Sequence, residues 1–235
     1  MWMSQTVAVI LPTYNEAGSI ADCIRAFESL GIVDDIIVVN NNAHPDTSPE
    51  VSTTSAREVL EPTQGYGAAI RRGIAETASA DLVCVCEPDG TFDPHDILKL
   101  LPFTADVDIA FGSRTVQTFI LSGANMGWFL RWGNWAVAKL TEVLYNTVYL
   151  SDVGCTFRVL TRDAVDQLQP DFESNGSAFG FEMMLLAAHH RIPLVQVPVK
   201  YRPRVGESSV TGDRRKTIVL GLEMIALCLR HRMRR

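Results

Sequence analysis

The sequence predicts an α/β fold in which a mostly parallel β-sheet is covered by helices on both faces of a single compact domain. In the first half of the chain, short runs that are apolar throughout alternate with segments of helical pattern. Such runs are typical of strands buried on both faces. The chain has 235 residues, 47% of them hydrophobic and 20% charged. This composition excludes a disordered chain, and this length can bury a full core in one domain.

Each element follows from local signals. Residues 7–11 form a β-branched run that ends at Pro12, and the helical segment after it stops at Gly31. The further apolar runs predict strands at 36–39, 58–60, 81–86 and 107–111, with an alternating edge strand at 194–199. The helical patterns predict helices at 17–30, 67–80, 94–101, 128–146, 180–190 and 214–232.

The charge is unevenly distributed. The net charge of −6 combines residues 1–199, with 11 Lys and Arg against 24 Asp and Glu, and residues 200–235, with 10 against 3. An acidic body lacks the broad basic face of a nucleic-acid-binding protein, so we expect no nucleic-acid partner. A basic tail favours a localised contact with phosphate or an anionic membrane surface.

The cysteines, the N-terminus and the longest apolar stretch indicate where in the cell the protein is located. The five cysteines are scattered without a CxxC pair, which argues against a disulfide framework or zinc ribbon. The N-terminus has no signal-peptide pattern, and the longest apolar stretch, 218–229, is too short to cross a bilayer. We therefore expect a cytoplasmic protein with a domain over 1–213. The basic helix 214–235 either belongs to that domain or contacts the membrane surface, and the oligomeric state stays open.

Polar or glycine-containing segments follow each of the first five predicted strands. In open parallel sheets, ligands bind at the carboxyl ends of the strands, so these segments predict one shared site. Loops are polar in general, and this would account for any single segment. It accounts less well for polar segments after all five strands. The segments are residues 12–16, 40–42, 64–67, 87–90 and 112–114.

The pair Glu87 and Asp89 is the most informative of these features. Two carboxylates at the end of an apolar strand offer the oxygen ligands that Mg²⁺ and Mn²⁺ prefer, usually shared with substrate phosphates. A helix N-cap is the competing explanation, but Asp93, which precedes Pro94, accounts for that cap.

The order of these motifs resembles family 2 glycosyltransferases with a GT-A fold. More narrowly, it is similar to polyprenyl-phosphate sugar synthases of the dolichol-phosphate mannose synthase type. The resemblance covers about residues 7–210. It is carried by PTYNE at 12–16, GSR at 112–114, DVGCTFR at 152–158, VPV at 197–199 and RVGES at 204–208.

The resemblance implies a role for each matching residue. Mg²⁺ or Mn²⁺ would be held by Glu87 and Asp89. The catalytic set would be Asp89, Arg114, Asp152 and Glu182, the last two as candidate bases for a hydroxyl acceptor. The nucleotide-sugar donor would be bound by Pro12, Tyr14, Asn15, Glu16, Asn41, Gly65, Gly67 and Pro88. The acceptor or its phosphate would be bound by Arg114, Arg131, Asn134, Arg202, Arg204 and Ser208.

Three departures from the family pattern leave the donor's sugar and base open. Asn41 stands in place of an aspartate that reads the base, Glu87 in place of the first aspartate of DxD, and Gln64 in place of a lysine. An amide can both donate and accept hydrogen bonds, so Asn41 remains a candidate for base recognition.

The predicted activity is a metal-dependent, inverting transfer of a hexose from a UDP- or GDP-sugar to a polyprenyl phosphate. One alternative keeps this chemistry with a soluble hydroxyl acceptor. Others are a sugar-nucleotidyltransferase and an inactive nucleotide-sugar binding module. Trp128, Trp132 and Trp135 recur at helical spacing, which favours core packing over a stripe that frames a lipid entrance.

Overall fold

A computed structural model describes residues 1–206 and 214–233. The strands of this part of the chain form a single seven-stranded sheet. They are β1 (Val7–Thr13), β2 (Asp35–Asn40), β3 (Arg57–Leu60), β4 (Leu82–Val85), β5 (Ile109–Ser113), β6 (Arg158–Thr161) and β7 (Leu194–Pro198). The spatial order is β3-β2-β1-β4-β6-β5-β7, which confirms the α/β class and places β7 at an edge as predicted.

The α-helices of the described residues include all those that the sequence predicts, mostly with shorter ends. They are α1 (Ile20–Glu28), α2 (Thr47–Val51), α3 (Tyr66–Ala75), α4 (Ile97–Leu100), α5 (Trp128–Tyr145), α6 (Arg162–Leu168), α7 (Phe179–His190) and α8 (Arg214–Met233). The predicted helix 94–101 begins as a 3₁₀ turn, Pro94–Asp96. The sequence reading missed α2, α6 and β6, which are short; β6 also begins with a charged residue, unlike the buried strands recognised by their apolar runs.

One strand runs against the others. β6 pairs antiparallel with β4 and with β5, whereas the remaining pairings are parallel. The carboxyl ends of the six parallel strands therefore share one edge of the sheet. Because β6 points the opposite way, the segment that enters it, residues 152–157, lies at that same edge.

The core has a layer on each face of the sheet. On one face, Val9, Leu11 and Cys84 pack with α1 and α4, and on the other, Ile10, Val85 and Phe111 pack with α3, α5, α6, α7 and α8. Helix α7 is buried from Phe179 to Ala188. These layers make the sheet a rigid base for the edge where the polar segments meet.

Helices α5 and α8 pack against each other beside that edge. In α8, Met224, Leu227 and Cys228 are buried, and Tyr145 Oη at the end of α5 donates to the Cys228 carbonyl at 2.9 Å. Helix α8 therefore packs on the domain along one side. Among the described residues, no helix combines the length and hydrophobicity that a membrane-spanning segment requires.

The tryptophan stripe of α5 faces outward, so the prediction of core packing is wrong. Trp128, Trp132 and Trp135 are 72%, 49% and 42% exposed, while the buried side of the helix presents Val137 and Ala138. Helical spacing alone identifies one face of a helix, and it does not say what that face contacts.

We predict that Gly73→Ala destabilises the protein. A Cβ at position 73 of α3 would overlap Ile10 Cγ2 in β1, and overpacking of this kind costs about 1–3 kcal/mol. Gly133→Ala in α5 is the matched control, because a Cβ there meets nothing within 4 Å. It should raise the free energy of unfolding by about 0.5–1 kcal/mol through helix propensity. Urea denaturation of both variants tests the pair, and a Gly73→Ala variant as stable as the parent would contradict the packing.

Candidate active site

The turn after β1 is held by the carboxylate of Glu16. One carboxylate oxygen accepts hydrogen bonds from the backbone N–H groups of Tyr14 at 2.6 Å and Asn15 at 2.8 Å. Ser19 Oγ donates to the Pro88 carbonyl at 2.6 Å, which joins this turn to the one after β4. The side chains of Tyr14 and Asn15 are exposed at the rim and accessible to a ligand. Two predicted donor residues are buried beneath them: Pro12 and Pro88.

Asn41 organises the loop after β3. Its amide nitrogen donates to the carbonyls of Glu61 at 2.8 Å and Thr63 at 2.7 Å, and its oxygen accepts from Gly65 N at 2.8 Å and Gln64 Nε2 at 3.2 Å. These contacts use both donors and both lone pairs of a carboxamide. Asn41 is thus a buried loop anchor in this structure, and its contact with the base stays a prediction. An aspartate could not donate to the two carbonyls.

Gly65 and Gly67 are required by close backbone packing. A Cβ at either position would overlap a carbonyl oxygen, that of Asn175 or that of Ser174, and Gly65 has a φ of +148°. The Asn175 carbonyl also accepts hydrogen bonds from the N–H groups of Gly67 and Ala68 at 2.8 and 3.1 Å. The N–H groups of Gly67 and Ala68 at the start of α3 are thus bonded within the protein, and both glycines have a packing role beside their predicted contact with the donor.

The acidic turn after β4 is bound by an arginine from the far end of the chain. Asp89 is 1% exposed, and its Oδ1 accepts from Thr91 N at 2.9 Å and Thr91 Oγ1 at 2.5 Å. Arg204 places Nη1 3.0 Å from Asp89 Oδ2 and Nη2 2.9 Å from Glu16 Oε1. A single guanidinium therefore joins two carboxylates from two different strand ends.

The charges around Glu87 favour a cation. Burial, followed by the charge of Asp89, raises the pKa of Glu87 to about 8, although Arg204 and Arg114 act to lower it. A carboxyl with a pKa this high is one whose negative charge is poorly compensated. Glu87 and Asp89 supply the hard oxygen donors suited to Mg²⁺ or Mn²⁺. The residues present fit such an ion.

Arg114 and Asp152 form a buried ion pair. Arg114 donates from its backbone N at 2.8 Å, from Nε at 2.9 Å and from an Nη at 3.0 Å, and Gly154 N adds a fourth bond to the same carboxylate at 3.0 Å. Burial acts to raise the pKa of Asp152, but the charge and hydrogen bonds of Arg114 outweigh it and the pKa lies below its ordinary value. Asp152 therefore holds Arg114, and it is a poor candidate for the base that the sequence suggested.

Glu182, the other candidate base, is committed elsewhere. Its carboxylate is fully buried on α7 and accepts hydrogen bonds from Ser174 N and Ser174 Oγ at 3.0 to 3.2 Å. This carboxylate holds the loop that packs on Gly67. In this structure the carboxylate of Glu182 is therefore bonded to Ser174, which weakens its case as a base.

The two predicted acceptor residues of α5 line different cavities. Asn134 lies with Arg114 in a cavity of about 350 Å³ between α5 and α8. A Cβ at Gly154 would meet both side chains, which shows how close the two are. Arg131 lines a separate cavity of about 450 Å³ with Trp132 and bonds Gln117. The sequence pattern predicts that Arg131 and Asn134 both bind the acceptor or its phosphate, whereas the structure places them in different cavities.

The remaining predicted acceptor residues belong to the segment after β7. Arg202 Nη2 lies 2.6 Å from an oxygen of Asp93, which Lys200 Nζ also approaches at 3.1 Å. Arg202 is therefore paired with Asp93, whereas Arg204 is paired with Asp89 and Glu16. Ser208 lies outside the described residues.

Tyr201 is a site residue that the sequence reading missed. Its ring lies over the Arg114 guanidinium, 5.2 Å from centroid to Cζ, and against Phe92 at 5.9 Å between centroids. Its backbone N donates to the Phe119 carbonyl at 2.8 Å, which fixes the segment across the site. A lone tyrosine after a strand carries no periodic signal, so only the fold reveals this contact.

Comparison with solved structures supports the fold assignment. A crystal structure of glucosyl-3-phosphoglycerate synthase from Mycobacterium tuberculosis, in complex with Mn²⁺, UDP-glucose and phosphoglyceric acid, matches with a TM-score of 0.76. The match covers 97% of this chain and 80% of that one at 18% identity, so the likeness concerns the fold alone.

Comparison with curated sequences identifies the family. A low-salt glycan biosynthesis hexosyltransferase from Haloferax volcanii is 31% identical over 88% of this chain, which spans 50% of that relative's length. An undecaprenyl-phosphate mannosyltransferase from Micrococcus luteus is 26% identical over 88% of each chain. The model of glycosyl transferase family 2 matches residues 8–168. The chain belongs to glycosyl transferase family 2.

Proposed function

We propose that this glycosyltransferase moves a hexose, with inversion, from a nucleotide sugar to a polyprenyl phosphate in a reaction that depends on Mg²⁺ or Mn²⁺. The observation that carries the proposal is the cavity between α5 and α8. Its walls include the apolar residues Leu130, Val137 and Ile225, and Arg114 also lines it. A mostly apolar groove whose lining includes a guanidinium suits a ligand with a hydrocarbon chain and a phosphate head.

The commitments of the candidate bases also favour a phosphate acceptor. A hydroxyl acceptor must lose its proton during the transfer, which requires a positioned base. Asp152 is saturated by Arg114 and Gly154, and Glu182 is bonded to Ser174. A phosphate oxygen already carries negative charge, so it attacks the sugar without such a base. This argument ranks the soluble hydroxyl acceptor second.

The donor would lie along the rim between the turns after β1 and β4. The exposed Tyr14 and Asn15 are placed to contact its nucleoside. Glu87 and Asp89 would hold the metal ion, which supplies Lewis-acid stabilisation of the charge that develops on the leaving diphosphate. Arg204 brings a planar fork of donors to the same place and is suited to phosphate oxygens once it leaves Asp89.

We expect Asp89→Asn to reduce transfer at least about a hundredfold, because losing the metal's charge stabilisation costs several kcal/mol. Radiolabelled product from UDP- and GDP-hexoses with Mn²⁺ is the measurement. Asp106→Asn, at an exposed aspartate, is the matched control and should keep the parental rate. Thermal denaturation checks that both variants fold. Parental turnover by Asp89→Asn, or by the wild type in excess chelator, would overturn the metal assignment.

The acceptor is tested by filling the cavity. Gly133 lines it and has open space for a side chain, so Gly133→Leu should slow transfer to undecaprenyl phosphate about tenfold or more. The rate of transfer to a short isoprenyl phosphate should fall much less, because this acceptor occupies less of the groove. Val143→Leu, at an exposed position of the same helix, is the control. Product that forms only on soluble hydroxyl compounds would replace the lipid acceptor with the second candidate.

The same surface is suited to lie against a membrane. Phe129, Ile218 and Leu222 line the cavity and are 54%, 50% and 62% exposed, and Trp128 adds an exposed aromatic ring beside them. Arg215 and Arg230 are exposed on α8. Exposed tryptophan and aliphatic side chains flanked by arginines are typical of helices in the interface of anionic membranes. This contact would extend the predicted role of the basic tail to α5.

We expect Trp128→Ser combined with Leu222→Ser to weaken binding to anionic liposomes, while the fold stays intact because both side chains are exposed. Co-sedimentation with vesicles that contain phosphatidylglycerol, at low and high salt, is the measurement. Leu60→Ser is the control, since Leu60 is 70% exposed at the far edge of the sheet on β3. Equal sedimentation of the double variant and the parent would refute the membrane contact.

A further inference from the structure

Arg158 occupies an unusual place in the sheet. It is the first residue of β6 and pairs with Val85 of β4 on one side and Phe111 of β5 on the other. These strands lead directly to Glu87 and Arg114. The side chain of Arg158 is only 1% exposed, so a full positive charge lies inside the core beneath the site.

Among the described residues, the hydrogen bonds of this guanidinium go to neutral atoms. It donates to the carbonyls of Cys155 at 2.6 Å, Thr156 at 3.3 Å and Gly180 at 2.7 Å. It also lies over the Phe111 ring, 5.2 Å from Cζ to the centroid. Burying a charge is costly unless it is well bonded. A leucine or methionine would fill this volume without that cost, so core filling alone does not explain an arginine.

The bonded carbonyls connect Arg158 to the ion pair of the site. Cys155 and Thr156 belong to the segment 152–157, which begins with Asp152, and Asp152 holds Arg114 through three hydrogen bonds. Gly180 lies in the first turn of α7, which is buried in the core. The guanidinium therefore fastens the segment that carries Asp152 to a rigid helix.

We propose that Arg158 is a positioning residue: by binding the carbonyls of Cys155, Thr156 and Gly180, it fixes the segment 152–157 so that Asp152 orients Arg114 toward the reacting phosphate. This inference rests on the proposed function, because it gives Arg114 a phosphate to meet. The guanidinium is suited to this task, since its planar fork reaches several acceptors at fixed angles and an ammonium group does not.

The closeness of Gly180 gives a second way to disturb the same contact. A Cβ at position 180 would lie 3.0 Å from an Nη of Arg158. Gly180→Ala therefore shifts the guanidinium by a few tenths of an ångström without removing its charge. It complements Arg158→Lys, which keeps the charge and loses the fork.

Arg162 offers a matched control. It lies just beyond the other end of β6, and its side chain also donates to backbone carbonyls, those of Ala80 and Thr77. Arg162→Lys thus makes the same chemical change to a carbonyl-bound arginine at the end of the strand away from the site.

Steady-state kinetics with undecaprenyl phosphate test the role. We expect Arg158→Lys to lower kcat/KM for the acceptor about tenfold to a hundredfold, since displacing a positioned group by about 1 Å has effects of that size. Gly180→Ala should act in the same direction and less strongly. The KM for the donor should change less than about twofold, and Arg162→Lys should match the parent in both constants.

A double-mutant cycle separates positioning from general loss of structure. If Arg158 acts through Asp152, then Arg158→Lys should cost no more than about twofold in an Asp152→Asn background. Multiplicative losses in the double variant, or parental acceptor kinetics in Arg158→Lys and Gly180→Ala, would overturn the proposal.

Hydrogen exchange gives a readout that does not depend on the activity. Amides of residues 152–157 should exchange faster in Arg158→Lys and Gly180→Ala than in the parent or in Arg162→Lys, with the rest of the sheet unchanged. Faster exchange at 152–157 in the two variants, together with a wild type that transfers no sugar, would retain the positioning contact and reject the proposed function. Unchanged exchange at 152–157 would reject the positioning contact itself.

Discussion

The reversed direction of β6 is the constraint on which the site depends. A strand that ran parallel to β4 and β5 would deliver the segment 152–157 to the opposite edge of the sheet. Running antiparallel, β6 begins at the carboxyl edge, where Asp152 meets Arg114 and Arg158 lies between the ends of β4 and β5. Forming the buried pair of Arg114 and Asp152 then restricts the chain little further, because both partners are attached to neighbouring strands. The orientation of one guanidinium in the site therefore follows from the topology of the sheet.

The acidic side of the site depends on contacts between distant parts of the chain. Glu16 and Asp89 lie in the turns that follow two neighbouring strands, β1 and β4. Arg204 contacts both of them, although it lies 188 residues after Glu16 in the sequence. This guanidinium offsets the charges of both carboxylates. It also acts to lower the pKa of Glu87, which burial and then the charge of Asp89 raise to about 8. If Asp89 holds the metal ion as proposed, Arg204 would have to leave it, and binding of the donor would then be linked to movement of the segment after β7.

Charge and hydrophobicity are separated across Arg114. On one side lie the carboxylates and exposed polar groups of the turns after β1 and β4, and on the other lies the apolar cavity between α5 and α8. The proposed transfer from a water-soluble donor to a lipid phosphate would use such a division, because the two substrates would approach from different solvents. The outward-facing Trp128 and Leu222 continue the apolar side onto the surface.

The sequence by itself determined the α/β class, the edge position of β7 and the five polar turns, because apolar runs and turn residues are local signals. It also predicts Glu87, Asp89 and Arg114 as candidate site residues. Only the tertiary structure decided what those groups contact, since hydrogen-bond partners come from distant segments. It made Asn41 a loop anchor, tied Asp152 to Arg114, exposed the stripe at Trp128 and brought Arg204 to Asp89. A residue type states which bonds a side chain can make, whereas the packing of the chain determines which of them are already made.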